Sequence, residues 1–433
     1  MRQGNTPPIR RLRQKYEYDQ THRKINLLRF ILVCCMTALV VLYLGVLRAL
    51  FAAMKQTSPS SPQVWKMTQY DNGAPSNKAQ NQRSYAEWRQ MAVDLAKLPP
   101  SETLAILERD DPFGVRALSK QVSDILQQTL DNNVVLERVK QIFPCPKDRL
   151  SFPDQRNHTK AEAFRKATPG YFIFFQHLRK AGGTNICTLA TANLPKKNLP
   201  SYYCMPDYYW HHQSDSQQHG TNGCAGCLHR WSNQEIVDNM GRHRIAGNEW
   251  DSFDPTRHLE LPAVFISSFR RPLDRAVSQF RFECLENRGC HFKEIEPWWE
   301  KRRDLINVYT WTFSDVRQGR LATSQQPGDI EKRSEAVGQA LDVIVRFHVL
   351  LVMEYLPLAA PLVESVLGFT DTSVLTKHVR PHNGQIHRQD SLIPKDFLTP
   401  DQYRRMSEAL ALDEILTDAA QRLFWERLVC HTY

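Results

Sequence analysis

The 433-residue chain has no Asp-x-Asp, no glycine-rich loop closing in Lys-Ser or Lys-Thr, no second Cys-x-x-Cys beside Cys224 and Cys227, and no internal repeat. Each absence removes a class. Many glycosyltransferases hold a metal and a nucleotide diphosphate with Asp-x-Asp, so sugar transfer ranks as the alternative chemistry. A loop without Lys-Ser/Thr after its glycines is not the nucleotide-triphosphate loop. A single Cys-x-x-Cys lacks the second pair that structural zinc sites use, which favours disulfides and leaves no metal site expected.

Net positive charge is also low outside one stretch. Residues 1–29 carry Arg2, Arg10, Arg11, Arg13, Lys15, Arg23, Lys24 and Arg29 against Glu17 and Asp19, so most of the net +10 sits there. The rest of the chain is only mildly basic, and no nucleic-acid partner is expected. The hydrophobic fraction of 42% and charged fraction of 24% exclude wholesale disorder.

Behind the basic tail, residues 30–47 form an uncharged apolar run, extended past Arg48 to residue 54. A bilayer core of about 30 Å needs about 20 helical residues, and Arg29 and Arg48 can snorkel outward. The run exceeds the roughly 7–15 residues of a cleaved signal and no small-x-small site follows, so an uncleaved signal anchor is expected. The positive-inside rule keeps the tail cytoplasmic and puts the larger part across the membrane. There, Cys145, Cys187, Cys204, Cys224, Cys227, Cys284, Cys290 and Cys430 form an even set suited to disulfides, with Cys284 and Cys290 able to close a local loop and the other pairings open. Asn157-His158-Thr159 is a glycosylation sequon.

The expected layout is a cytoplasmic tail at 1–29, an anchor at 30–54, a flexible stem at 55–83, a helical stem region at 84–143 and a luminal domain at 144–433. The stem is rich in Ser, Pro, Asn and Gln without apolar periodicity. Val115, Leu118, Val122, Ile125, Leu136 and Val139 recur mostly at spacings of three and four, interrupted at Thr129 and Asn132. That seam suits a helix docked on its own domain, with a homodimeric coiled-coil stem as the alternative. Beyond it, strands expected at 171–176, 263–269 and 349–353 lead into helices expected at 184–193, 273–282 and 355–367, which predicts an α/β domain with a mostly parallel sheet.

The chemistry concentrates where two of those strands end. After the first comes His177-Leu178-Arg179-Lys180-Ala181-Gly182-Gly183-Thr184-Asn185, in which the glycines permit close backbone approach and the next helix offers unpaired N–H groups to an anion. After the second comes Arg270-Arg271-Pro272-Leu273-Asp274-Arg275-Ala276-Val277-Ser278-Gln279-Phe280. Two anion sites suit a ligand with two phosphate groups.

In these residues the chain resembles the membrane-bound sulfotransferases that use 3'-phosphoadenosine 5'-phosphosulfate, especially the heparan sulfate 2-O and 6-O group. Their first signature resembles H-x-P-K-T-G-G-T, and their second resembles R-D-P-x-x-R-x-x-S-x-[FY], with Arg271 here in place of the acidic residue. The likeness covers roughly residues 171–427. It implies a P-loop-like sulfotransferase domain in the Golgi lumen and a glycan acceptor, with an acidic polysaccharide permitted. Carried over, Lys180 faces the 5'-phosphosulfate and its bridging oxygen, Ala181, Gly182, Gly183, Thr184 and Asn185 complete the cradle, and Arg270 and Ser278 take the 3'-phosphate. Arg275 stands between ligand contact and surface.

A base must remove the acceptor proton. The resembling 2-O enzymes carry a segment like H-G-H-x-x-F, whereas this chain has Ala246-Gly247-Asn248-Glu249-Trp250-Asp251-Ser252-Phe253 without either histidine. Glu249 is the first candidate, with pairing to Arg242 or Arg244 its alternative role. His243 is the second, with a strand-edge role as its alternative. Lys377, His378, Arg380, His382, His387 and Arg388 form a late basic cluster that the resemblance places over nucleotide and acceptor, or that is a solvated loop. Trp298 and Trp299 suit sugar stacking or the core.

Overall fold

The structure, a computed structural model, describes residues 84–129, 131–143, 145, 172–200, 204–205, 232–240, 243–249, 252–259, 261, 263–286, 290–315, 326–376 and 394–430. The tail, the apolar run at 30–54, the stem at 55–83, Asn157, Cys224, Cys227 and the cluster at 377–388 lie outside them. Among the described residues no helix is long and apolar enough to cross a membrane.

The described chain is α/β and mostly helical. Helices α1 (Tyr85–Leu95), α2 (Pro100–Asp110), α3 (Arg116–Gln128) and α4 (Asn132–Ile142) precede β1 (Phe172–Gln176), α5 (Gly183–Asn193), α6 (Asn233–Met240), β2 (Ile245–Asn248), α7 (Pro255–His258), β3 (Ala263–Phe269) and α8 (Pro272–Phe280). Then come α9 (Ile295–Lys301), α10 (Val308–Thr312), α11 (Pro327–Ile344), β4 (Val349–Val352), α12 (Ala360–Leu367), α13 (Pro394–Phe397), α14 (Pro400–Ala409) and α15 (Ala411–Trp425). The strands form one parallel sheet in the order β2-β1-β3-β4.

Every strand residue is buried. That is why the strands read as apolar runs rather than as alternations. Successive side chains still point to opposite faces. Phe172, Phe174 and Phe265 join a core with residues of α1, α11 and α15, while Ile173, Phe175 and Ile266 join another with residues of α3, α4, α5 and α12. The strand expected at 263–269 is found there, and of the one expected at 171–176 the described residues Phe172–Gln176 are all strand. Residues 353–358 differ from expectation. Pro357 cannot donate to a helical hydrogen bond, so a 3-10 turn spans Met353–Leu358 and the α-helix waits until Ala360.

The segment 84–143 folds onto the sheet. Val115, Leu118, Val122, Leu136 and Val139 are buried in the two cores, as a helix docked on its own domain requires. The breaks at Thr129 and Asn132 are helix ends: Thr129 closes α3 and Asp131 caps α4 through the Asn133 amide. Disulfides join Cys145 to Cys430 and Cys284 to Cys290, the latter closing the expected local loop. Trp298 and Trp299 are both buried in a third core with Phe280 and Leu410, which takes them out of sugar stacking.

One buried histidine gives the fold an acid dependence. His258 packs between Phe174 and Phe253, and its Nδ1 accepts from the Asp254 amide at 3.1 Å. Burial, aided by the neighbouring Arg257, lowers its pKa to about 3. In the unfolded chain a histidine titrates near pH 6.5. Between those values the unfolded state binds more protons, so stability falls as pH drops through the window, by up to about 1.4 kcal/mol per pH unit. His258→Asn keeps an acceptor for the Asp254 amide without titrating. It should flatten the dependence of the urea midpoint on pH between roughly 6.5 and 4.5.

Candidate functional site

The order β2-β1-β3-β4 reverses direction between β1 and β3. In open parallel sheets, ligands lie at the carboxyl ends of strands at such a reversal. The loops after β1 and β3 are the two basic turns, and Gln176 is level with Ser267, whose hydroxyl donates to the Gln176 carbonyl at 2.8 Å.

The first turn is shaped by backbone that few residues adopt. Lys180 has φ 63° and Gly182 has φ 97°, both in the left-handed region. A side chain at Gly182 would put its Cβ 2.2 Å from Met353 Sδ, and one at Gly183 would put it 1.7 Å from His177 Nε2. The chain therefore needs both glycines for space, and Gly182 for conformation as well. Helix α5 starts at Gly183 with no side-chain cap, so the first-turn amides of Gly183, Thr184 and Asn185 carry the positive end of the helix. The Lys180 ammonium lies 4.2 Å from the centre of the Phe282 ring. Together these form a cradle for an anion.

Two adjacent arginines of the second turn face opposite tasks. Arg270 turns toward the first loop, where its Nη1 is 3.5 Å from the Lys180 carbonyl oxygen. Its own carbonyl accepts from the Tyr309 hydroxyl at 2.9 Å. Tyr309 is held in turn by Asp413, which accepts from the amides of Tyr309 and Thr310 at 3.1 and 2.8 Å, and which burial pushes up to about 6. Arg271 turns away to α15 and ion-pairs with Asp418 at 2.8 Å and Glu414 at 3.4 Å. Burial opposes its charge, but those carboxylates outweigh the penalty and hold it protonated. Arg116 of α3 meets the same two carboxylates at 2.6 and 2.9 Å. The basic residue at 271 is thus a scaffold anchor. Ser278 lies half-buried in the second turn of α8. Arg275 is fully buried, donates to the Leu305 carbonyl at 2.9 Å and lies under Tyr309, so it belongs to the scaffold rather than to the surface.

The strand β2 brings the candidate bases to different ends. Asn248 pairs with Gln176, donating to its side-chain oxygen at 2.9 Å and accepting from its amide at 3.1 Å through the backbone carbonyl. Asn248 is fully buried, so this position staples β1 to β2. One residue further, the same register sets Glu249 opposite His177, whose amide donates to the Asn248 carbonyl at 3.0 Å. Glu249 lies 3.9 Å from His177 Nδ1 and 3.7 Å from Arg179 Nε. His177 stacks on Phe175 at 5.1 Å. Burial lowers the Arg179 pKa, opposed by Glu249 and Glu283. His243 precedes β2 and lies at the amino ends of the strands, roughly 20 Å from Glu249 at about 3.3 Å per residue.

The structure therefore collects Lys180, Ala181, Gly182, Gly183, Thr184, Asn185, Arg270 and Glu249 at one end of the sheet, and leaves His243 at the other. His177 and Arg179 join the collected group without having been singled out. Only the pairing of β2 with β1 reveals them, because it places residue 177 beside residue 249. Among the described residues no cluster of His, Cys, Asp and Glu suits a metal ion. No protein-family model, no curated protein and no solved structure matches the chain.

The packing of His177 on Gly183 is directly testable. Gly183→Ala should lower stability by about 1–3 kcal/mol, the usual cost of forcing a group into a filled space. In a His177→Ala background the same change should cost little, because the clashing ring is gone. Urea midpoints of the four proteins give the coupling.

Proposed function

We propose that the chain is a 3'-phosphoadenosine 5'-phosphosulfate-dependent sulfotransferase that moves a sulfuryl group to a hydroxyl of a glycan, held to a Golgi membrane by the apolar run at 30–54. The observation that carries this reading is the meeting of the two basic turns at the β1/β3 reversal, with the Arg270 guanidinium reaching the Lys180 carbonyl. A donor with phosphates on both its 5' and 3' sides needs two anion sites on one nucleotide, and the motifs that resemble those of sulfotransferases supply them.

In this reading the first-turn amides of Gly183 to Asn185 and the Thr184 hydroxyl bind the 5' side, with Ala181 shaping the turn through its amide on the Leu178 carbonyl, while Arg270 and Ser278 bind the 3'-phosphate. Negative charge grows on the bridging oxygen as sulfate leaves, and a cation aimed there stabilises the transition state more than the ground state. Lys180 is that cation. Its ammonium rests 4.2 Å from the centre of the Phe282 ring. Glu249 takes the proton of the acceptor hydroxyl. His177 and Arg179 flank the carboxylate at 3.9 and 3.7 Å.

The test is sulfate transfer from labelled donor to a glycan panel, paired with product-nucleotide binding. Glu249→Gln should leave nucleotide affinity within about twofold and cut turnover by at least about 100-fold, the usual range for losing a general base. A fully active Glu249→Gln protein would remove Glu249 from the reaction. Wild-type protein that binds nucleotide but transfers nothing to any acceptor would make it a tethered binding protein instead.

A further inference from the structure

One aromatic ring at the mouth of the site is not spent on packing. Phe282 lies in the π-helical turn Arg281–Glu286 that continues α8, is partly exposed, and joins none of the three cores. Its neighbours on both sides are fixed. Arg281 is buried, while the Glu283 carboxylate accepts from Trp298 Nε1 at 3.0 Å and from the Gln279 side-chain amide, and ion-pairs with Arg302. Burial works against the Glu283 charge, but hydrogen bonds from Arg302, Gln279 and Trp298 hold its carboxyl below the ordinary range. Cys284 is bonded to Cys290. A π turn inserts a residue into an α-helical course and recurs at functional sites. Here the turn presents the Phe282 ring to Lys180, whose Nζ lies 4.2 Å from the ring centre.

We propose that Phe282 is the positioning residue of Lys180, holding the ammonium at the mouth of the first turn against its ring face. The backbone end of this contact is already set. Lys180 has a left-handed φ of 63°, which a residue with a Cβ seldom adopts and which persists only where the surroundings impose it. Its carbonyl oxygen lies 3.5 Å from Arg270 Nη1. A fixed backbone does not by itself fix the charge, because the lysine stem is long and has many rotamers. An aromatic face attracts an ammonium through the negative face of its quadrupole and narrows that freedom. The ring in turn is held by Glu283 on α9 and by the Cys284–Cys290 bond. The use made of the contact rests on the proposed sulfuryl transfer, in which a charge set beforehand near the bridging oxygen needs little reorganisation as that oxygen turns negative. The contact itself does not depend on that reading.

The contact is read without any assay of transfer. Full-length protein in detergent is pulsed with an amine-acetylating reagent, and modification of Lys180 is measured by mass spectrometry against the exposed Lys197. Only an unprotonated amine reacts, and a ring face favours the ammonium. Phe282→Leu should therefore raise the relative labelling of Lys180 by about two- to fivefold, the range that a cation over an exposed ring gives, while Phe282→Tyr leaves it unchanged. Phenylalanines of increasing fluorination placed at 282 keep the shape and drain the ring face, so labelling should climb with each fluorine. Labelling that ignores fluorination, or that rises as much in Phe282→Tyr as in Phe282→Leu, would overturn the assignment. Affinity for 3'-phosphoadenosine 5'-phosphate then reads the use of the contact. Phe282→Leu should weaken binding by about two- to fivefold when Lys180 is present and leave it unchanged in a Lys180→Ala background. An equal loss in both backgrounds would make Phe282 a wall of the site and overturn its positioning role. Wild-type protein that binds no nucleotide would remove the proposed function and leave the labelling to decide the Phe282 assignment.

Discussion

The reversal of strand order between β1 and β3 is the constraint on which the rest of the site depends. Because both neighbours of β1 are parallel to it, the loops after β1, β2 and β3 all emerge at the same end of the sheet. Three segments distant in sequence, at 177–185, 249 and 270–278, are thereby brought together without any one of them needing to be long. Burial of every strand residue on both faces fixes that geometry, since a slip of one residue would exchange Phe174 and Ile173 between two differently shaped cores.

Around that constraint the chain separates the groups that hold from the groups that act. Gln176 and Asn248 meet each other's hydrogen-bonding needs where the strands end, and Ser267 binds the Gln176 carbonyl on the other side. Arg271, Arg116, Asp418 and Glu414 lock the second turn to α15 and α3. Losing one member would leave charges buried without compensation, which is costly even where the intact network adds little net stability. With Arg271 committed to that network, Arg270 is left to face the first loop, and Lys180 and Glu249 remain at the mouth. In the proposed sulfuryl transfer this division would give fixed donors for the leaving charge and a carboxylate for the incoming hydroxyl.

Much of this was legible in the residues. The strands at 172–176 and 263–269 lie in apolar runs that follow Gly170 and Pro262, and the two turns stand out because basic residues come soon after those runs. The docking of 84–143 followed from its apolar spacing. Other features depend on pairings that one chain cannot announce. β2 is four residues long, too short for a periodic signal, and its register with β1 is what sets Glu249 against His177 and Arg179. The same register explains Asn248, which a motif comparison marks as a missing histidine and the fold uses as a staple. His243 looks equivalent to Glu249 in sequence, six residues away, yet a strand's rise puts it at the opposite edge. Pro357 marks a helix break that apolar spacing alone passes over.

Calorimetric binding of 3'-phosphoadenosine 5'-phosphate and of adenosine 5'-phosphate to the full-length chain in detergent tests the two-turn clamp most directly. The account predicts that the bisphosphate binds at least about tenfold more tightly, a difference of about 1.4 kcal/mol, and that Arg270→Ala erases this preference while adenosine 5'-phosphate still binds. Equal affinity of wild-type protein for the two nucleotides, or a preference that survives Arg270→Ala, would contradict it.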